Sequence, residues 1–301
     1  MFIADMHSDS LLTVNSERGL TSKYNVSGKY PYLQFFASFI PARQNPPEKR
    51  RRATINKLDV FAYECERLGI VRVDDVRALC YAKDTGTASA MFTIEGGGGL
   101  FAGSDELLTL YRAGLRIMGF AWDGNELCSS AFDSEDNGLT DEGVILAKKC
   151  AELGITVDVS HMSDKSFYDL TEVYPLPIIA THSNFRDVCD NRRNLTRDMA
   201  RIISARGGVI GLNLYPEFVK RGGARITDLL PHIDYCLEHF GDSCLGFGFD
   251  IDGTDGAYPI GIDETSSIHD RVVDMLLAHY PERTVRKIAG ENVLDFLKGN
   301  I

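Results

Sequence analysis

The chain has 301 residues, with 43 Asp and Glu against 32 Lys and Arg for a formal charge of −11, and 44% of its residues are hydrophobic. This composition supports a large buried core and excludes a disordered acidic tail. The acidic balance also speaks against a general affinity for phosphate backbones or anionic membranes, so neither a nucleic acid nor a membrane is expected as a partner.

No run approaches the ~18 apolar residues that span a bilayer. The opening Met-Phe-Ile-Ala-Asp-Met-His-Ser-Asp lacks the basic start of a secretory leader. A cytoplasmic location is therefore expected. The seven Cys are odd in number and show no C-x-x-C spacing, which suggests reduced thiols rather than a disulfide framework or a zinc ribbon.

Short apolar runs alternate with amphipathic stretches along the whole chain. Strands are expected at Phe2 to Met6, Leu33 to Ile40, Ala90 to Ile94, Leu115 to Phe120, Ile155 to Val159, Pro177 to Ala180, Gly208 to Leu214 and Cys244 to Phe249. Helices are expected at Glu48 to Leu68, Asp105 to Ala113, Asp141 to Leu153, Ser163 to Val173, Thr196 to Arg206 and Ile226 to Phe240, with caps at Ser104, Thr140, Ser163 and Thr196. The basic run Lys49-Arg50-Arg51-Arg52 follows Asn45-Pro46-Pro47 and reads as a solvated first turn. Alternating strands and helices predict an α/β fold with a parallel sheet, and eight such units in about 250 residues fit a single (β/α)8 TIM-type barrel better than two domains. One domain over residues 1–301 is expected, with a C-terminal helical tail from Asp270 through Lys298.

In such a barrel, functional side chains stand where strands end. His7 and Asp9 follow the first strand as His-x-Asp, which on extended backbone puts both side chains on one side. Glu95 ends the third strand, His161 and His182 the fifth and sixth, and Asp250 the eighth. Any one of these residues reads as an ordinary satisfied polar group. Together, three imidazoles and several carboxylates at one rim form an N and O donor set suited to Zn²⁺, Mn²⁺ or Fe²⁺. They are too many for one tetrahedral ion and about right for two ions sharing a carboxylate. His232, His239, His269 and His279 fall in helical stretches and read as structural or surface polar residues.

Other motifs carry less. Gly96 to Gly99 lacks the Gly-Lys-Ser/Thr of a phosphate-binding loop, and Gly246-Phe247-Gly248 lacks the third glycine of a dinucleotide fingerprint. Asp250 to Asp255 departs from a calcium loop at Thr254 and lacks Glu at the twelfth position. Ser129-Ser130 has no nucleophile-elbow pattern.

Several segments in order resemble the membrane (renal) dipeptidase family of binuclear zinc peptidases, within the amidohydrolase-like superfamily. They are Asp5-Met6-His7-Ser8-Asp9, Ile94-Glu95-Gly96-Gly97, Val157-Asp158-Val159-Ser160-His161, Thr181-His182-Ser183-Asn184, Arg192-Arg193-Asn194-Leu195, Gly208 to Asn213, Gly248 to Gly253 and Gly290-Glu291-Asn292-Val293. The resemblance implies two Zn²⁺ per subunit, with His7 and Asp9 on one, His161 and His182 on the other, and Glu95 bridging. It implies that Arg193 grips the dipeptide's C-terminal carboxylate, that Tyr215 lies at the substrate pocket, and that Asp250 lies near the metals and the substrate's amino end. Asp250 is also the candidate for delivering a proton to the leaving amine. A hydroxide bridging the zincs would attack the peptide carbonyl, and members of the family are often homodimers.

Two positions depart from the family pattern. Trp122 stands where animal members have a histidine that steadies the tetrahedral intermediate. An indole N–H donates a hydrogen bond but carries no charge, so Trp122 reads as a pocket wall or as a weak oxyanion contact. Phe249 replaces a small residue and is expected to narrow the pocket. The expected activity is zinc-dependent hydrolysis of dipeptides, including those with a C-terminal D-residue. The alternatives are a related metal-dependent amidohydrolase acting on a lactam, a lactone or an N-acyl amino acid, and, from a different class, a non-catalytic barrel-fold binding protein.

Overall fold

The computed structural model describes residues 1–14, 20, 30–100, 106–262 and 267–301, so the cap expected at Ser104 lies outside it. Eight strands occur among the described residues: β1 (Ile3–Asp5), β2 (Tyr32–Phe39), β3 (Val71–Arg72), β4 (Ser89–Glu95), β5 (Ile117–Gly119), β6 (Thr156–Asp158), β7 (Ile210–Leu212) and β8 (Leu245–Phe247). All pair in parallel, in the order β6-β5-β4-β2-β1-β8-β7, with β3 added on β4 off this path. The result is an α/β fold with a curled parallel sheet of seven strands and helices in the connections.

The segment expected as a strand at Pro177 to Ala180 forms no ladder. It makes one parallel bridge to each side, Asp158 with Ile179 and Ala180 with Ile210. Pro175 and Pro177 lack the N–H groups a longer pairing needs. Among the elements not legible in the sequence are the two-residue β3 and the helix Val76–Thr85, capped by Asp75 accepting from Ala78 N–H at 2.8 Å.

The alternation of side chains across each strand divides the core. Ala4 and Met6, Leu33 and Phe35, Met91, Ile117, Ile179 and Val209 gather on one side, with Val293, Leu294, Phe296 and Leu297 of the last helix against them. Their neighbours in sequence, Ile3, Phe36, Phe92 and Ile94, face the layer of helices instead. The tail expected from Asp270 to Lys298 comprises helices Ile268–Leu277, Glu282–Arg286 and Asn292–Asn300, the last two joined by a π turn. Thr140, Ser163 and Thr196 cap their helices as expected, each accepting from the backbone N–H three residues on.

One basic residue departs from the solvated-face reading. Helix Pro47–Leu68 carries Lys49 and Arg52 outward, but Arg50 is buried and paired with Glu126. Seen in three dimensions, that position of the first turn faces the 122–139 connection rather than water.

His232 is a buried structural histidine. Its Nδ1 accepts from Phe185 N–H at 3.3 Å, and Nε2 donates to the carbonyl of Val219 at 3.0 Å, so only the neutral Nε2–H form serves both. Burial, partly offset by the Val219 bond, lowers its pKa from 6.5 to about 4. The unfolded chain then binds the extra proton between those values, so this contribution to stability is present above pH 6.5 and is lost as pH falls toward 4. It amounts to about 3 kcal/mol at most. His232→Gln offers an amide donor and acceptor without titrating. Denaturant midpoints at pH 7 and pH 4.5 are expected to differ less for the variant than for the wild type, and parallel pH losses would refute the assignment.

Candidate metal centre

The sheet register brings distant sequence segments to one rim. Glu95 is the last residue of β4, and Asp5, the last of β1, is paired with both Gln34 and Phe247. The chain beyond each strand end then delivers His7, Asp9, His161, His182 and Asp250 to the same place. Glu95 Oε1 lies 2.9 Å from His161 Nε2 and 3.2 Å from His182 Nε2, and those two nitrogens are 2.9 Å apart. Glu95 Oε2 lies 3.7 Å from His7 Nε2, which is 3.5 Å from Asp9 Oδ2 and 3.8 Å from Asp250 Oδ1. The His7 and His182 rings stack with centroids 3.7 Å apart. All six strand-end residues singled out in the sequence therefore converge.

The local backbone is strained to achieve this. His161 and Asp250 adopt φ of 69° and 59°, a left-handed conformation costly for non-glycine residues and typical of constrained sites. Gly253 is required by close approach, since a Cβ there would collide with the carboxylates of both Asp250 and Asp9.

Surrounding groups orient the ligating atoms. Thr181 Oγ1 donates to Asp158 Oδ2 at 2.5 Å, so it receives the Nδ1–H of His182 at 2.8 Å. That fixes the tautomer and leaves the His182 Nε2 lone pair facing Glu95. On the other side Asp5 Oδ1 accepts from His7 N–H and from Phe249 N–H, both at 3.1 Å, while Oδ2 pairs with His269 Nε2 at 2.8 Å. His269 is a buried residue only half satisfied, with Nε2 paired to Asp5 and Nδ1 without a hydrogen-bond partner. Its partner, however, holds the backbone of His7, a link 264 residues long in sequence that gave no local signal.

The electrostatics separate the imidazoles. Burial disfavours a charged His7, but Glu95, Asp9 and Asp250 together outweigh it and push its pKa up to about 10. Burial first, then the Arg193 and His7 charges, hold His161 and His182 well below their usual range. The neutral form thus favoured is the one that ligates metals. Burial raises Glu95 well above the usual carboxylate range and also raises Asp250, with the neighbouring Asp9 charge adding to both.

This donor set fits metal ions. His7 Nε2 and Asp9 Oδ1 are buried side-chain atoms without a hydrogen-bond partner. Ligand-type atoms lie within 4.8 Å of one another in the groups Glu95-His161-His182, His7-Asp9-Glu95 and His7-His182-Asp250. The first two share only Glu95, as a carboxylate between two ions would be shared.

Beside this set, Arg193 is buried and points its fork inward. Nη1 donates to Ser183 Oγ at 2.7 Å and Nη2 to the carbonyl of His182 at 2.9 Å, while Nε–H has no partner. Burial lowers its pKa to about 10 against the pull of Asp250 and Glu95, so it stays charged at neutral pH. Its guanidinium lies 5.7 Å from the Phe218 ring, which packs 4.7 Å from Tyr215. Asn213, which the sequence reading left without a role, donates through Nδ2 to Asp250 Oδ2 at 3.1 Å and accepts from Tyr215 N–H at 2.5 Å.

Trp122 packs 4.7 Å from Phe39 and 6.1 Å from His161, ring to ring. Phe249 does not narrow the pocket as expected. Its buried ring stacks on Phe247 at 4.5 Å and lies 5.1 Å from His269, behind the strand end.

A family model described as membrane dipeptidase, peptidase family M19, matches residues 14–299. His7 and Asp9 precede that span, and it is the geometry that joins them to Glu95. An uncharacterized protein in the pqqA 5′ region of Klebsiella pneumoniae is 32% identical over 217 residues, 68% of this chain and 79% of that protein. Dipeptidase 3 of Mus musculus is 24% identical over 292 residues, covering 93% of this chain and 58% of the mouse protein. A metallopeptidase from Rhodobacter sphaeroides, solved with a phosphinate mimic of the dipeptide L-Ala-D-Ala, shares the fold with a TM-score of 0.87 at 23% identity, over 100% of this chain and 99% of that one.

Proposed function

The chain belongs to the membrane dipeptidase family, peptidase family M19, a family of metallo-dipeptidases, and from that premise we propose that it hydrolyses the peptide bond of dipeptides with two zinc ions. His7 and Asp9 would hold one ion, His161 and His182 the other, and Glu95 would join them. The observation that carries this reading is the pair of buried donor groups that have Glu95 in common. Bound there, the ions supply Lewis-acid polarisation and bring water's pKa toward neutrality.

The chain's own residues do the rest. Arg193 takes the C-terminal carboxylate with its free Nε–H beside a charged fork. Asp250, held by Asn213, stands beside His7, where it binds the substrate ammonium and moves a proton to the leaving amine. Tyr215 and Phe218 close the Arg193 side, and Trp122 is a wall on the His161 side. A closed (β/α)8 barrel is our reading of the sheet, supported by the two bridges through Ile179 and Ala180 that link β6 to β7. We further place the enzyme in the cytoplasm, where seven cysteines, an odd number without C-x-x-C spacing, would stay reduced. Among the described residues no helix is long and apolar enough to cross a membrane.

A chelator followed by readdition of Zn²⁺, Mn²⁺ or Fe²⁺ is expected to abolish and restore cleavage of L,L and L,D dipeptides, with two metal ions per chain by elemental analysis. Hydrolysis confined to N-acyl amino acids or lactams would replace the dipeptidase reading with the amidohydrolase one. Two bound metals with no turnover of any of these substrates would favour a binding protein.

A further inference from the structure

Phe132 is 46% exposed, yet its ring lies 5.5 Å from the ring of His161 and 5.7 Å from Trp122. Single exposed apolar side chains are ordinary on protein surfaces. This one differs in being held in place on several sides. Ala131 N–H donates to the carbonyl of His161 at 2.8 Å, and Phe132 N–H donates to Ser130 Oγ at 3.0 Å. The next residue, Asp133, accepts from Ser130 N–H at 2.7 Å and from Arg43 Nη2 at 2.5 Å. Its carbonyl accepts from Arg192 Nη1 at 3.0 Å. An apolar face fixed in this way loses little entropy when something packs on it.

Arg192 ties this face to the carboxylate end of the proposed site. It immediately precedes Arg193, so the segment that presents the carboxylate grip is tied to the loop that carries Phe132. Asp250 instead stands beside His7, and Asn213 Nδ2 reaches both Asp250 Oδ2 and the His182 carbonyl that Arg193 also holds.

We propose that Phe132, backed by Trp122, is the specificity-determining wall for the side chain of the dipeptide's C-terminal residue, and that the enzyme selects dipeptides with a large apolar residue there. This rests on the assignment of Arg193 to the substrate carboxylate. The fit is hydrophobic, so the expected discrimination is about tenfold rather than absolute.

The test uses the metal-loaded enzyme and its Phe132→Ala and Phe132→Leu variants with Gly-Gly, Gly-Leu, Gly-Phe and Leu-Gly. In the wild type, kcat/KM for Gly-Leu and Gly-Phe is expected to exceed that for Gly-Gly by about tenfold. Phe132→Ala is expected to bring those ratios near one, and Phe132→Leu to restore them in part. The Leu-Gly to Gly-Gly ratio is expected to be the same in all three proteins. A binding readout comes from Trp122, the only tryptophan. Its fluorescence is expected to shift more with a phosphinate analogue of Gly-Leu than with one of Gly-Gly. Ratios unchanged in Phe132→Ala, or a Leu-Gly ratio that falls together with the Gly-Leu ratio, would overturn the wall assignment while leaving the dipeptidase reading intact. Failure of the wild type to cleave any of the four peptides would instead remove that reading and the proposal with it.

Discussion

Glu95→Gln is expected to lower dipeptide turnover by about 10³-fold or more and to leave fewer than two metal ions per chain. Its two oxygens face different imidazoles, Oε1 toward His161 and His182 and Oε2 toward His7, and an amide cannot serve two cations in this way. Lewis-acid assistance is worth several kcal/mol, and each ~1.4 kcal/mol is a factor of ten in rate. The same substitution is expected to leave the metal-free protein no less stable than the wild type. Glu95 is buried, with the Asp9 and Asp250 charges nearby and His7 as partial compensation, so neutralising it removes a buried like charge. Metal at a hundredfold over its Kd contributes about 2.7 kcal/mol, or about 5 °C in Tm. The wild type is expected to show that metal-dependent shift and the variant to lose most of it. A variant that keeps two metals and normal turnover would exclude Glu95 as the shared ligand.

What the sequence made legible follows from how locally each feature is written. Each of His7, Asp9, Glu95, His161, His182 and Asp250 stands just past a short apolar run, and parallel strands in register place such positions on one rim. The convergence of these six side chains could therefore be read from strand ends alone. The contact of His269 with Asp5 could not, because its helix gives no sign of a partner 264 residues away. Arg50 shows the same limit in reverse. A basic turn of helix reads as solvated, and only the tertiary position of Glu126 makes it buried. Phe132 lies in an irregular loop with neither helical nor strand periodicity, so only its hydrogen-bonded neighbours reveal that it is held. At Pro177 to Ala180 the apolar run was visible, but the missing proline donors limited it to single bridges.

Arg193→Ala is expected to raise KM for dipeptides by about 30- to 5,000-fold, the range set by the ~2 to 5 kcal/mol lost when one partner of a buried charge pair is truncated. A raised KM alone would not establish contact with substrate, because Arg193 also donates to the carbonyl of His182 and to Ser183 Oγ. Truncation could act by loosening a proposed metal ligand. The two routes differ in which substrates suffer. If Arg193 binds the carboxylate, dipeptides and their C-terminal amides are far apart in kcat/KM for the wild type and converge in Arg193→Ala, with metal content unchanged. If Arg193 only braces His182, acid and amide fall together and metal is lost as well. Arg193→Lys sharpens the distinction, since it keeps a positive charge but loses the planar fork. It is expected to recover part of the preference for the acid. Equal losses on acid and amide substrates would withdraw the carboxylate grip, and with it the placement of the C-terminal side chain against Phe132.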